Sequence, residues 1–306
     1  MNIAGTIIPI FSIIALGWIA NRRNFIPDTF IHPANRLVYY LAIPAMIFRA
    51  ISRNPFHQYF NLGVVIIAFL SMFIIFLFAW GAGKLFGLKN GLLATFVQSS
   101  FHCNIGYLAL AVAYYYLGDD GLARAGIFAG FIMIFQNFLS VMILNLYSTR
   151  QASGKKFLHM ASKIFGNPII ISAAAGILFS VAGLSLPLMV SRSLDILSGL
   201  ALPTALLIIG ASLSFDLMQR HLSRLIGTTL IKLIGLPGIS FLLYYLADIP
   251  GTEFLPAFIL LASPTATITY VMAKEMEGDT DFAVAAISLN TLLSSATFTF
   301  WLSVPA

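Results

Sequence analysis

The chain of 306 residues has one cysteine, Cys103, and only 9% charged residues against 59% hydrophobic ones. A single cysteine excludes an intramolecular disulfide and a thiolate metal cluster. Cys103 falls inside an apolar run, where it reads as a small buried residue. Soluble domains carry about 25% charged residues, so the shortage of charge implies an integral membrane protein. The net charge of +6 does not point to nucleic acid. The charges are scattered between apolar runs, where they report orientation. Motifs are missing too: there is no Walker loop, Gly-x-Ser-x-Gly, His-Glu-x-x-His or Asp-x-x-x-Asp cluster. Their absence leaves no basis for ATP drive, acyl transfer or metal hydrolysis. We therefore expect no catalytic residue, no metal and no cofactor. No Asp or Glu falls in the middle of an apolar run, and Asp195 lies near the start of one. The buried carboxylates usual in proton and sodium antiporters are thus lacking. The acidic pair in Gly118-Asp119-Asp120-Gly121 reads as a solvated turn.

What is present is a succession of apolar runs of about 20 residues, the length of a membrane crossing. Ten are read, over 3–20, 34–53, 62–85, 91–117, 122–148, 164–183, 189–214, 222–247, 252–275 and 280–303. The connections are short, so no soluble domain is expected. The longest is a basic linker at 149–163. No Lys or Arg precedes the first run, unlike a typical signal peptide. Arg22 and Arg23 follow it, which puts that end in the cytoplasm. On this orientation twelve basic residues fall on the cytoplasmic side: Arg22, Arg23, Arg36, Lys84, Lys89, Arg150, Lys155, Lys156, Lys163, Arg220, Arg224 and Lys274. Four, Arg49, Arg53, Arg124 and Arg192, fall outside. The bias predicts both termini outside a cytoplasmic (inner) membrane. Trp18, Trp80 and Trp301 lie near run ends, as belt aromatics do.

The chain also repeats. Pro9 and Pro168 are 168 − 9 = 159 apart, as are Gly17 and Gly176, and Pro44 and Pro203. Leu41-Ala42-Ile43-Pro44 matches Leu200-Ala201-Leu202-Pro203, and the same shift lays runs 1–5 on runs 6–10. Five is odd, so the second copy enters the membrane inverted. The expectation is an all-α membrane protein of ten transmembrane helices in two inverted five-helix repeats, 1–148 and 164–306. Secondary transporters are built this way, with substrate held at the repeat interface.

Within the fourth run, FHCNIGYLALAV places His102, Asn104 and Gly106 among apolar residues. Adding 159 to Asn104 gives Ser263, so Asn104-Ile105-Gly106 pairs with Ser263-Pro264-Thr265. Pro264 removes an amide donor and Gly106 weakens a helix by about 1 kcal/mol. Broken helices are tolerated in a membrane only away from lipid. Two crossing breaks, in helices 4 and 9, would aim positive half-helix ends at an anion. The polar cluster would complete that cavity. Gln136 and Asn137 in run 5 and Asn290 in run 10 are further buried amides that need partners. Pro44 and Pro203 are read as kinks. Lys232 lies within run 8, some 15 Å from its start at roughly 1.5 Å per residue. We read it as snorkelling toward the cytoplasm, with a functional role as the alternative. Arg49 and Arg53, four apart, are read as reaching headgroups.

These stretches carry a resemblance. NRLVYYLAIPAMIF, VQSSFHCNIGYLALAV, LLIIGASL and SPTATITYVMAKEM, in this order along the chain, resemble the auxin efflux carrier family, including bacterial malonate or organic-anion permeases. The resemblance implies the fold of the bile acid/sodium symporters. It implies a scaffold domain from helices 1, 2, 6 and 7 and a transport domain from helices 3–5 and 8–10, moving by an elevator mechanism. It also implies anion contacts at Asn104, Gly106 and Gln136. One departure is visible: family members often have Gly-x-Pro soon after Asn-x-Gly. Here Tyr107-Leu108-Ala109-Leu110-Ala111 stands instead, so the first break is expected to be milder or to rest on Gly106 alone.

The reading is a secondary carrier of a small organic anion, auxin-like or a dicarboxylate such as malonate. Substrate-binding candidates are His102, Asn104, Gly106, Gln136, Asn137, Pro264, Thr265 and Asn290. Export driven by the inside-negative potential is favoured, worth about 2.3 kcal/mol per charge per 100 mV. The alternative is a sodium-coupled symporter of the bile-acid type. Expected partners are the anion, the lipid bilayer, a proton or sodium ion for coupling and a second copy in a homodimer, with no nucleic acid.

Overall fold

The computed structural model describes residues 2–148 and 166–304, so the linker and its Arg150, Lys155, Lys156 and Lys163 lie outside the described residues. The regular structure described is helical. In chain order it comprises α1 (Ile3–Arg22), α2 (Asp28–Leu37), α3 (Ile43–Ser52), α4 (Phe56–Tyr59), α5 (Leu62–Leu85), α6 (Asn90–Phe101) and α7 (Leu110–Tyr147). The second half contributes α8 (Pro168–Val181), α9 (Leu188–Gly199), α10 (Ala201–Ala211), α11 (Phe215–Leu230), α12 (Leu236–Leu246), α13 (Gly251–Ala262), α14 (Ile268–Glu275) and α15 (Thr280–Ser303). Among the described residues six helical stretches are long and apolar enough to cross a membrane: Ile3–Arg22, Leu62–Leu85, Ile105–Tyr147, Leu188–Ala211, Phe215–Leu246 and Thr280–Ser303. α8 and α13 are apolar but shorter. The described residues are thus all-helical in their regular structure, as in a multi-pass membrane protein.

The stretch Ile105–Tyr147, at 43 residues, would measure about 65 Å if straight. That is twice the hydrocarbon core of about 30 Å. Gly118 divides it, with φ 75° and ψ −163°, a conformation that side chains with a Cβ rarely adopt.

Three π turns interrupt the helices, at Val38–Ala42, Ile105–Ala109 and Ile231–Gly235. Two of them precede a proline, Pro44 and Pro237. Proline lacks the N–H that would bond the carbonyl four residues back. For Pro237 that carbonyl is Leu233, and the Trp301 indole N–H donates to it at 2.9 Å. Trp301 is therefore buried and structural rather than a belt aromatic. Trp80 likewise donates to the Tyr147 hydroxyl at 2.8 Å. Pro203 stands where α9 gives way to α10.

Glycines set two close helix crossings. A Cβ on Gly17 would run into the Leu207 carbonyl, and one on Gly210 into the Ile14 carbonyl, so α1 and α10 pack backbone to backbone. A Cβ on Gly176 of α8 would lie 3.0 Å from Ile51 Cβ of α3. Small residues allow such approach where hydrophobic burial cannot drive helix association. Arg49 and Arg53 are not free to reach headgroups. Both pair with Asp195 of α9, and Arg53 Nη2 also donates to Ser191 Oγ at 2.5 Å. The ion pair thus joins α3 to α9.

Candidate functional site

α6 ends at Phe101 and α13 at Ala262. Beyond these ends the chain runs extended through His102 (φ −74°, ψ 108°) and Ser263 (φ −68°, ψ 154°). The two extended segments cross antiparallel, with Cys103 opposite Thr265. Asn104 N donates to the Pro264 carbonyl at 2.8 Å, and Ala266 N to the His102 carbonyl at 3.1 Å. Each break thus supplies the hydrogen bonds that the other lost, which is how non-helical backbone survives in a buried setting.

Side chains from neighbouring helices lock the crossing. The Gln136 carboxamide of α7 grips the Cys103 peptide on both sides. Its Oε1 accepts from Cys103 N at 3.0 Å, and its Nε2 donates to the Cys103 carbonyl at 3.3 Å. One turn on, Ser140 donates to the Gln136 carbonyl at 2.7 Å and meets His102 Nδ1 at 2.9 Å. On the other side Thr265 Oγ1 donates to the Ser99 carbonyl at 2.7 Å, capping the end of α6. Asn290 Nδ2 of α15 donates to the same hydroxyl at 2.7 Å, and its Oδ1 accepts from Thr229 at 2.6 Å.

The sequence candidates therefore converge. His102, Asn104, Gln136, Pro264, Thr265 and Asn290 all sit at or against the crossing. Asn137 is one residue further round α7 and takes part in none of these bonds. Gly106 is not the break. It lies past it, in the π turn, where a Cβ would come within 3.0 Å of Ile169 Cδ1. The interruption at His102–Asn104 is held by the opposing strand and by Gln136, and it does not need a local Gly-x-Pro. The two stretches matched by the constant offset, 104–106 and 263–265, meet at this crossing, where Cys103 faces Thr265.

Two residues were missed. Cys103, read as inert packing, lies at the centre of the crossing. Lys232 does not snorkel: it is fully buried, and Nζ donates to the Leu261 carbonyl at 3.0 Å and to Cys103 Sγ at 3.2 Å. The helical stretch holding it begins at Phe215 rather than near 222. That earlier start only adds a polar segment carrying Asp216, Arg220 and Arg224; what keeps Lys232 from the interface is that its Nζ is turned inward onto Leu261 and Cys103.

Several buried polar atoms have no partner: Asn104 Nδ2, Gln98 Oε1, Ser99 Oγ and Thr291 Oγ1. Asn104 is only 3% exposed, and unpaired buried amides cost about 1–3 kcal/mol. Just after it the amides of Gly106 and Tyr107 open a helix and have no partner within it. Tyr107 is itself fixed by its hydroxyl, which donates to Asn35 Oδ1 at 2.5 Å. The residues of the crossing do not line the apolar groove of about 600 Å³ between Phe76, Trp80, Phe138 and Met142. Nor do they line a smaller cavity of about 190 Å³ beside Arg49, Tyr114 and Pro203. The crossing is a tight polar node, with the unpaired Asn104 Nδ2 at the start of a helical segment.

Comparison with known proteins agrees with a transport role. The sequence profile of the family described as "Membrane transport protein" matches residues 2–302. A protein of Rhizobium meliloti named "Putative malonate transporter" is 27% identical over 97% of this chain and 94% of its own length. An uncharacterized transporter of Methanocaldococcus jannaschii is 29% identical, covering 87% of each chain. Another, of Escherichia coli, is 23% identical over 98% of this chain and 96% of its own. The chain belongs to the membrane transport protein family of auxin efflux carriers, and is a transporter rather than an enzyme.

Proposed function

We propose that the protein is a secondary carrier of a small organic anion, with a dicarboxylate of the malonate class as the first candidate. The observation that carries this reading is the crossing of 102–104 with 264–266. It leaves Asn104 Nδ2 buried and unpartnered at the start of the helical segment that opens at Ile105, where the first N–H groups lack partners within the helix. A helix start carries roughly half a positive charge, so these donors suit a carboxylate. Thr265, Gln136 and Asn290 hold the crossing in shape, and His102 flanks it. The name of the Rhizobium meliloti relative supports malonate as the first probe.

The architecture we infer is ten spans in two inverted repeats. α1, α2–α3, α5, α6 with the start of α7, and the rest of α7 form one half. α8, α9–α10, α11–α12, α13–α14 and α15 form the other. The paired glycine contacts support it: Gly17 and Gly210 join α1 to α10, while Gly176, 159 residues after Gly17, meets Ile51, 159 before Gly210. On this plan α1–α3 and α8–α10 form the scaffold, and the remaining helices carry the site and slide as an elevator. Both termini face outside the cytoplasmic membrane, and the carrier works as a homodimer. Export follows the inside-negative potential.

The test is uptake of radiolabelled malonate and of an indole carboxylate into proteoliposomes holding the purified protein. Asn104→Ala is expected to reduce transport at least about tenfold, the equivalent of about 1.4 kcal/mol of lost anion contact. Transport at the wild-type rate by Asn104→Ala would remove the site assignment.

A further inference from the structure

We propose that Lys232 is a tethered cation. Its ammonium fills the cation-binding position at the carbonyl end of α13, in place of a free alkali-metal ion, so the carrier needs no sodium. The proposal rests on the carrier reading above and assigns the coupling chemistry of the same node.

The end of an interrupted helix leaves carbonyls without N–H partners and carries a partial negative charge of about half a unit. In carriers with broken helices such ends, with unwound backbone, coordinate Na+. This protein has two such ends at its crossing, and they are treated differently. At α6 the Ser99 carbonyl accepts a neutral hydroxyl, from Thr265. At α13 the Leu261 carbonyl accepts from an ammonium, at 3.0 Å. Cys103 Sγ completes the cluster, 3.2 Å from Lys232 Nζ and 3.6 Å from the Leu261 oxygen.

The charge has no side-chain counterion. Lys232 is fully buried, and among the described residues no Asp or Glu is buried. An ammonium so placed is costly without compensation, and ionisable groups within membrane helices mark function by default. The carbonyl pole of α13 supplies part of that compensation, and an anion bound at the crossing would supply the rest. The position is not a product of the repeat: 232 − 159 = 73, and residue 73 is Phe73, which is exposed. The π turn Ile231–Gly235 holds the lysine, and such turns are frequent at functional sites. Lys232, Leu261 and Cys103 all belong to the part we assign to the moving domain. The fixed charge would travel with the anion, leaving a bound monocarboxylate neutral and a bound dicarboxylate at minus one.

Thermal unfolding of the full-length protein in detergent tests this without any substrate. Wild type, Lys232→Arg and Lys232→Gln are compared in about 200 mM NaCl, LiCl or choline chloride. Wild type and Lys232→Arg are expected to melt within about 1 °C of themselves in all three salts. Lys232→Gln, with the position vacated, is expected to gain about 3 °C in NaCl or LiCl over choline. Sodium-specific stabilisation of wild type or of Lys232→Arg would overturn the proposal. So would a folded Lys232→Gln that responds to no cation. If Lys232→Gln is not recovered, sodium-independent malonate uptake by wild type and Lys232→Arg is the expected result, and sodium-dependent uptake by either overturns it. Should the salt pattern hold while no carboxylate is carried, the substrate reading fails and the tethered cation stands.

Discussion

Replacing Gln136 by methionine isolates what holds the crossing together. Methionine keeps much of the volume but removes both polar atoms that grip the Cys103 peptide. The Cys103 carbonyl keeps a second partner, Ile105 N at 2.9 Å, so its loss is small, under about 1 kcal/mol. The Cys103 N–H has no replacement in a fully buried setting, and an orphaned buried donor costs about 1–3 kcal/mol. The sum is about 1–4 kcal/mol. For a chain of this size each kcal/mol moves the midpoint by about 2 °C, so a drop of about 5 °C is expected. Asn137→Leu, one residue along the same helix but outside these bonds, should shift the midpoint by less than about 1 °C. The assay is intrinsic-fluorescence melting of both variants in the same detergent. Equal midpoints for the two variants would refute the claim that Gln136 braces the break.

The remaining predictions concern helix contact and the anion. Gly210→Ala should destabilise by about 1–3 kcal/mol, since its Cβ would force α10 off the Ile14 backbone. Gly81→Ala, where a Cβ meets nothing within 4 Å, should be neutral or gain up to about 1 kcal/mol. Chemical denaturation of the two side by side checks this. Asn104→Asp should bind anions more weakly than Asn104→Ala, because it adds a like charge where an amide donor is lost. Equilibrium binding of malonate reads the order of the two.

Much of the site was legible because membrane helices state their exceptions openly. Pro264 breaks a helix through its missing N–H, and Asn104, Gln136 and Asn290 stand out as amides in apolar runs. What failed were inferences that depend on partners. Gly106 reads as the break because glycine weakens helices locally. The break lies two residues earlier, where the opposing strand supplies hydrogen bonds that no local rule contains. A lysine within an apolar run reads as snorkelling, but Lys232 turns inward because the Leu261 carbonyl and Cys103 Sγ, which lie on other segments, are its partners. Cys103 has no sequence signal for its central position, since its role is carried by its backbone and by a carbonyl 158 residues away. Arg49 and Arg53 looked like headgroup anchors until Asp195, on another helix, was found between them.

The most direct test of the crossing uses the chain's single cysteine. Cys103 and Thr265 form a pair flanked by, but not joined by, ladder hydrogen bonds. Such pairs hold their Cα atoms about 4.5 Å apart, within the range a disulfide can bridge. Thr265→Cys, oxidised in the membrane and then unfolded and alkylated, should show two cysteines protected from alkylation and restored by reduction. Two fully alkylated thiols under the same oxidation would contradict the crossing, and with it the site built on it.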